Sequence, residues 1–354
     1  MAQQIRTRTG DGRPPGLLGV FYGGLALLAT HVIFWWSRRE PVFSDDLSYW
    51  SKAGGWILPL SDGTESATGS NMAPGALASS TANDHRMLLH FGILLARTVF
   101  GDSPEAFLAV PYVAAMGVAL GTFVMVARLA DAKSGLVAVV ALLALEPFQR
   151  NISVLTPDWP TAALLALSVA LLVCALTMRR PRRQAFTGAV SGLLVGAAFA
   201  VSEQSTFAIL AIGLTVAVLL FRGRRRVTLA WSAGGIIAFL ADMGASWILT
   251  GSPLGRVTAL LGGGHVGARI QAARSANAAP EAFVARTDPG LEGMPVTWPY
   301  LTTRYLDLLW ESTAGRMLLI ALVAAVGFVL LRWRRGEIAL IGATALAAVA
   351  GVSV

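Results

Sequence analysis

The sequence predicts an all-α polytopic membrane protein, and three observations carry that expectation. Of the 354 residues, 55% are hydrophobic and only 14% charged. The mean hydropathy is +0.62, beyond the range of ordinary soluble domains. Apolar runs of about 18–20 residues, long enough to cross a bilayer, recur along nearly the full length. Between them, basic residues cluster so that alternating crossings bring every cluster to one side.

Taken in order, membrane helices are expected at about 17–36, 106–127, 134–146, 160–178, 185–202, 205–221, 228–249, 317–331 and 337–354, with boundaries good to a few residues. That makes about nine spans. Residues 1–16 form an N-terminal tail, and 17–354 form a single transmembrane domain. Leu17–Trp36 does not read as a cleavable leader: it is too long, and Ser37-Arg38-Arg39-Glu40 follows in place of a small-residue cleavage site. Cys174 is the single cysteine and lies inside an apolar run, so no internal disulfide is expected and core packing explains it.

Orientation follows from the cations. The clusters are Arg6, Arg8 and Arg13; Arg128 and Lys133; Arg179, Arg180, Arg182 and Arg183; Arg222, Arg224, Arg225 and Arg226; and Arg332, Arg334 and Arg335. They hold 16 of the 28 Lys and Arg residues, opposed on that side only by Asp11, Asp131 and Glu337. The positive-inside rule makes this side cytoplasmic, and the other acidic residues then belong to the outer face. The net charge of +8 is accordingly topology and not a nucleic-acid footprint. A bacterial inner membrane with the N-terminus inside is the expected setting.

Two segments are expected to face outward, about 37–105 and 250–316. The first opens with Phe43-Ser44-Asp45-Asp46-Leu47-Ser48-Tyr49-Trp50, continues through a Gly/Ser/Thr/Ala-rich stretch at 61–82, and reaches Asn83-Asp84-His85-Arg86. The run from Leu88 to Phe100 is apolar but too short to span, and Arg97 interrupts it, so it reads as a helix lying at the interface. The second segment ends with Trp298, Tyr300, Tyr305 and Trp310, suited to an interfacial belt. Its Gly262-Gly263-Gly264-His265 reads as a loop, since it does not join a strand to a helix.

The chemical signal lies in carboxylates at the outer ends of apolar helices: Asp45, Asp46, Glu146, Asp158, Glu203 and Asp242. Charges at such depths are costly unless paired or wet, so they stand as functional candidates. Each also has a plain structural reading. Asp158, before Trp159-Pro160, suits a helix N-cap; Glu203 suits a polar outer turn; Asp242 suits a partner on a neighbouring helix; Asp45 and Asp46 suit an exposed loop. Arg150, in the loop before Asp158, is a candidate anion partner. The four histidines are scattered and no metal-ligand spacing appears, so neither metal nor cofactor is expected.

The order of these features resembles the GT-C class of polyprenyl-phosphate-sugar-dependent glycosyltransferases, in particular the protein O-mannosyltransferase and aminoarabinose-transferase branch. Phe43 to Trp50 is similar to that branch's acidic pair followed by a tyrosine. Leu94-Leu95-Ala96-Arg97-Thr98-Val99-Phe100-Gly101-Asp102-Ser103-Pro104-Glu105-Ala106 resembles its interfacial helix and Phe-Gly-x-Ser turn. Leu155-Thr156-Pro157-Asp158 resembles the membrane-edge aspartate. Ser191-Gly192-Leu193-Leu194-Val195-Gly196-Ala197-Ala198-Phe199 and Thr250-Gly251-Ser252-Pro253-Leu254 resemble a Gly-rich fifth-helix motif and the loop after the seventh helix. The resemblance covers about 17–316. It departs at Asn83-Asp84-His85-Arg86, where relatives carry Lys- or His-Pro-Pro, and at Ser202-Glu203-Gln204, where a lysine is usual. The chain also stops at Val354 within an apolar run, which implies a fragment or a reduced member.

The resemblance implies a GT-C-like bundle with its active site on the outer face. A sugar would pass from a polyprenyl-phosphate donor to an acceptor of unknown identity, with inversion. Asp45 would be the general base, and Asp46 and Asp158 would orient the base or the sugar hydroxyls. Arg86, Arg97, Arg150 and His85 would meet the phosphate, and Tyr49, Glu146 and Glu203 would complete the substrate site. Expected partners are the lipid-linked donor, the acceptor and membrane lipids, with no nucleic acid. A non-catalytic scaffold of the same fold remains a rival reading. A secondary transporter fits less well, since its carboxylates belong near the midplane at broken helices.

Overall fold

The computed structural model describes residues 16–38, 86–101, 103–145, 148–149, 152–202, 209, 212–213, 216–217, 219–220 and 223–250. Among these the regular structure is entirely helical. Seven helices run in order: α1 (Leu17–Ser37), α2 (Met87–Phe100), α3 (Pro104–Leu129), α4 (Ala132–Leu143), α5 (Asp158–Thr177), α6 (Pro181–Val201) and α7 (Arg225–Thr250). The chain divides into two compact units. The first holds 1–61, 88–242 and 320–353 and contains nearly everything described below. The second holds 62–87, 243–319 and 354, of which Arg86, Met87 and 243–250 are described.

Five helices, α1, α3, α5, α6 and most of α7, are long and apolar enough to cross a membrane, as in a membrane protein. At 1.5 Å per residue, 20 residues rise ~30 Å, the thickness of the hydrocarbon core. The expected spans at 17–36, 106–127, 160–178, 185–202 and 228–249 each coincide with one of them. The third expected span, 134–146, differs. α4 is a helix of only 12 residues, ~18 Å long, and cannot cross alone. Of the expected 205–221 span, the described residues Ile209, Ile212, Gly213, Val216, Ala217, Leu219 and Leu220 are helical. Ile212, Val216 and Leu219 recur at i, i+4 and i+7 and are buried in the core, the pattern of one helix face. The expected spans 317–331 and 337–354 lie outside the described residues, as does the second outer segment.

Local chemistry sets the helix ends. α2 stops at Gly101, whose φ of 70° suits only a residue without Cβ strain, and whose N–H bonds the Arg97 carbonyl at 2.8 Å. Two residues on, Ser103 caps α3, its hydroxyl accepting from the Ala106 N–H at 3.3 Å, with Pro104 in the first turn. The Phe-Gly-x-Ser stretch is thus a stop followed at once by a start. Asp131 caps α4 by accepting from the Ser134 N–H at 2.8 Å. Gln149 donates through Nε2 to the Leu143 carbonyl at 2.8 Å, satisfying a group that the end of α4 leaves open.

Packing fixes the helix directions. Gly117 faces Ala163 and Gly121 faces Ala166, so α3 and α5 run parallel. α5 and α6 are antiparallel, joined at mid-height by Ser168 and Ser191: each hydroxyl donates to the other's carbonyl, at 2.9 and 2.8 Å. Gly188 lies on Val227, and Gly192 and Gly196 on Gly235, so α6 and α7 run parallel at close range through a G-x-x-x-G-x-x-x-G row. α1 is antiparallel to α3, with Gly23 against Phe123 and His31 Nδ1 3.0 Å from the Tyr112 hydroxyl. α5 is the central helix, buried on all sides. α1 and α7 expose Leu17, Phe21, Leu28, Leu229, Ile236 and Leu240; such apolar faces suit lipid and not water.

One end of this bundle is basic. There the end of α3, the start of α4, the α5–α6 turn and the start of α7 bring together Arg128, Lys133, Arg179, Arg180, Arg182, Arg183, Arg224, Arg225 and Arg226. Asp131 is the one carboxylate at that end among the described residues. The other end receives the starts of α3 and α5 and the end of α6, with Glu105 and Asp158.

Candidate functional site

The acidic end is built around α2. Leu89 and Ile93, four residues apart on one face, are fully buried against Phe107 of α3, Leu155 of the link into α5, and Val201 at the end of α6. This cluster ties the short helix to three long ones at a single level. The opposite face of α2 exposes Leu88, Phe91, Leu95 and Val99. A helix apolar on both sides, and too short to span, suits the membrane interface with one face on protein and one on hydrocarbon. The expected short apolar helix over 88–100 coincides with α2.

Between its apolar faces α2 carries two basic side-chain types on the protein side. His90 is completely buried and Arg97 half-buried. At 100° per residue, positions 90 and 97 fall within ~20° of each other, on one stripe. Arg86, the residue before the helix, is itself only 4% exposed. Sequence reasoning selected Arg86 and Arg97 but passed over His90. The signal was present as a basic residue seven positions before Arg97, on the same face.

The second component is the link between α4 and α5. α4 ends early; in the link to α5, Phe148 and Gln149 are helical and 152–157 are turns and irregular backbone, with Phe148, Ile152 and Leu155 buried. Phe148 meets Trp159 edge-on with ring centroids 4.7 Å apart, anchoring the link to the first turn of α5. Irregular backbone at membrane depth is tolerated where protein surrounds it. Ser153 in this link is buried as well.

Asp158 is the first helical residue of α5 and is half-buried. The N-cap position belongs to Pro157, which makes no side-chain cap bond, so Asp158 is not the cap that its place before Trp159-Pro160 suggested. A carboxylate in the first turn is still favoured by the unpaired N–H groups and the helix dipole. One turn deeper, Thr161 is fully buried and its hydroxyl has no hydrogen-bond partner. Asp242, on the second half of α7, is also half-buried.

Of the expected site residues, Arg86, Arg97 and Asp158 are described. Asp45, Asp46, Tyr49, His85, Glu146, Arg150 and Glu203 lie outside the described residues. Among the described residues no group of His, Cys, Asp and Glu is arranged to hold a metal ion. What the acidic end offers chemically is an inward imidazole and a half-buried guanidinium on a short apolar helix, docked beside the link that opens into a half-buried carboxylate. No family model matches the sequence, and neither a curated protein nor a solved structure is found to be similar to it.

Proposed function

We propose that the chain is a GT-C-like glycosyltransferase that transfers a sugar from a polyprenyl-phosphate donor to an acceptor at the acidic end of the bundle, on the outer face of a bacterial inner membrane. The observation that carries this reading is the stripe of buried His90 and half-buried Arg97 on α2, docked on the bundle through Leu89 and Ile93. A lipid phosphate entering sideways along the exposed face of α2 would meet protein-bound positive charge at the depth of its own headgroup. The resemblance of the surrounding sequence supplies the reaction class.

In this reading the acceptor hydroxyl or amine attacks the anomeric carbon from the face opposite the phosphate. The bond from that carbon to the phosphate oxygen breaks, polyprenyl phosphate departs, and the configuration inverts. Asp45 takes the acceptor proton as general base. The leaving group departs already ionised and needs cations and not a general acid; His90 and Arg97 join Arg86, His85 and Arg150 in that role. Asp158, with Asp46, orients the sugar hydroxyls or the base, and Tyr49, Glu146 and Glu203 complete the site.

The test is binding and turnover of polyprenyl-phosphate sugars by the purified protein, wild type beside Asp45→Asn and Asp158→Asn. Transfer or donor hydrolysis by wild type, lost in Asp45→Asn with donor binding kept, supports the assignment. Binding without turnover in wild type favours the non-catalytic scaffold, the reading to which the departure at Asn83-Asp84-His85-Arg86 points. Absence of binding by any such lipid removes the glycosyltransferase reading. The gathering of Glu105 and Asp158 at one end counts against a transporter, whose carboxylates belong at the midplane.

A further inference from the structure

A carboxylate inside a membrane-crossing helix takes no part in the proposed transfer reaction. Asp242 lies on α7, one turn beyond Ala238, and is half-buried. A charged group within a membrane span is costly and stands as a functional candidate. Its place in the bundle follows from the seams that pin α5 to α6 and α6 to α7.

The Ser168 and Ser191 hydroxyls lie 3.0 Å apart across the first seam. From that level toward the acidic end, Asp158 lies ~15 Å along α5 and Val201 ~15 Å along α6. Across the second seam Gly196 meets Ala238. From there, again toward the acidic end, Val201 lies ~7.5 Å along α6 and Asp242 ~6 Å along α7. Asp158, Val201 and Asp242 therefore share about one level. Val201 is also the α6 residue in the cluster that seats Leu89 and Ile93 of α2.

The two carboxylates also turn to the same side. Seen from the acidic end, α5 runs away and its residues turn clockwise, so Asp158 lies ~80° clockwise of Ser168, which faces α6. α6 runs toward the viewer and turns anticlockwise. Gly192, which faces α7, thus lies ~100° anticlockwise of Ser191, which faces α5. Both rotations lead to one flank, so Asp158 turns to the side of α5 on which α7 stands. On α7, Trp231, Gly235 and Ala238 face α6, and Asp242 falls within ~40° of each of them.

Thr161 adds a group that calls for a polar ligand. It lies within ~20° of Ser168 on α5 and faces the same seam, one turn below Asp158. It is fully buried, and among the described residues its hydroxyl has no hydrogen-bond partner, a costly state in an apolar setting. Carboxylates accept from sugar hydroxyls, and a threonine hydroxyl donates or accepts. The same carboxylates would repel a phosphate, which the basic stripe of α2 suits. We propose that Asp242 is a sugar-binding residue of the acidic-end site, accepting a hydrogen bond from a hydroxyl of the transferred sugar beside Asp158, an assignment that rests on the glycosyltransferase reading.

The experiment uses the full chain in detergent micelles and titration calorimetry. The probes are a short-chain polyprenyl-phosphate hexose and the same polyprenyl phosphate without its sugar. Asp242→Asn keeps the size and removes the charge. It is expected to weaken the hexose-linked lipid by roughly tenfold or more, the loss of a hydrogen bond to a charged group, and the bare lipid by less than about twofold. Donors lacking one hydroxyl at a time locate the bond. One of them should bind wild type roughly tenfold more weakly than the parent, and Asp242→Asn should no longer distinguish the two. If Asp242→Asn does not fold, Asp242→Glu keeps the charge on a longer stem and should still shift the ratio of the two affinities several-fold. An unchanged ratio in either variant, including equal losses for both lipids, overturns the assignment and leaves the glycosyltransferase reading standing. If wild type binds neither lipid, that reading falls and the assignment with it.

Discussion

Replacing Gly192 by alanine should force α6 and α7 apart, and the size of the effect can be worked out. A Cβ at position 192 would overlap the Trp231 carbonyl oxygen and lie 2.8 Å from its carbon and 2.9 Å from the Gly235 nitrogen. Ordinary contact begins at 3.4 Å, and all three neighbours are backbone, so no side chain can swing aside. The two helices must separate by about 1 Å, and a gap of that size forfeits up to half of the dispersion well for each atom pair along the seam. Overpacking of this kind costs ~1–3 kcal/mol, near the upper end where backbone is the obstacle. Alanine returns ~1 kcal/mol through its better helix propensity, leaving a net loss of about 1–2 kcal/mol. Gly24→Ala is the control, since a Cβ there meets nothing within 4 Å. It should be neutral or stabilising by up to ~1 kcal/mol. Equilibrium unfolding in mixed micelles, followed by tryptophan fluorescence, gives both values. The partner change Gly234→Ala, whose Cβ would meet the Ala189 carbonyl, should add less than its own cost to Gly192→Ala, because one displacement relieves both overlaps. If Gly192→Ala proves as stable as Gly24→Ala, the close α6–α7 seam is wrong.

Three further outcomes are expected. A double-mutant cycle on Ser168→Ala and Ser191→Ala should return a coupling of about 0.6 kcal/mol and no more than ~1.7, read by the same unfolding assay, since the two hydroxyls lie 3.0 Å apart between α5 and α6. Ile93→Ala removes a side chain with no exposure and should cost ~2–5 kcal/mol, mostly as undocking of α2; hydrogen exchange should rise in the amides of α2 while those of α5 keep their protection. Asp131→Ala should destabilise α4 at neutral pH but not in acid. Hydrogen bonds from Ser134, then the nearby Lys133, hold the Asp131 carboxyl below its usual range. A carboxyl lowered on folding stabilises above its unfolded pKa, ~3.9, and loses that contribution as pH falls through the folded value. The gap between variant and wild type should therefore close as pH falls below about 4; a gap that persists would show that the cap is not the ionised carboxylate.

The parts of the fold that were legible in the sequence are those governed by solvent. Five apolar runs became long helices within a few residues of their expected limits, because hydrocarbon demands a fixed length of satisfied backbone. α2 was legible as a short helix for the same reason: its run is apolar but too short to span. α4 was less legible. Its hydrophobicity continues through Leu145, so hydropathy extends the helix, yet α4 itself ends at Leu143 and 152–157 lead into α5 as packed turns and irregular backbone. Hydropathy records how apolar a residue is and not whether its neighbours are lipid or protein. Asp158 failed as a cap on similar grounds: the sequence marked a helix start correctly, but a shift of one residue moved the carboxylate from the cap into the first turn.

The candidate site shows a different limit. His90 and Arg97 were visible as residues, but their direction was not, because α2 carries apolar residues on both sides and its pattern alone does not say which stripe faces protein. Packing decides it: Leu89 and Ile93 seat against Phe107, Leu155 and Val201, and that seating rotates His90 inward. The same reasoning separates the two ends of the bundle. At the basic end Arg225 and Arg226 are exposed, where headgroups and water can solvate them, and they need no internal partner. At the other end His90 is buried and out of reach of solvent. The two ends of the bundle thus differ in the burial of their basic residues and not only in their number.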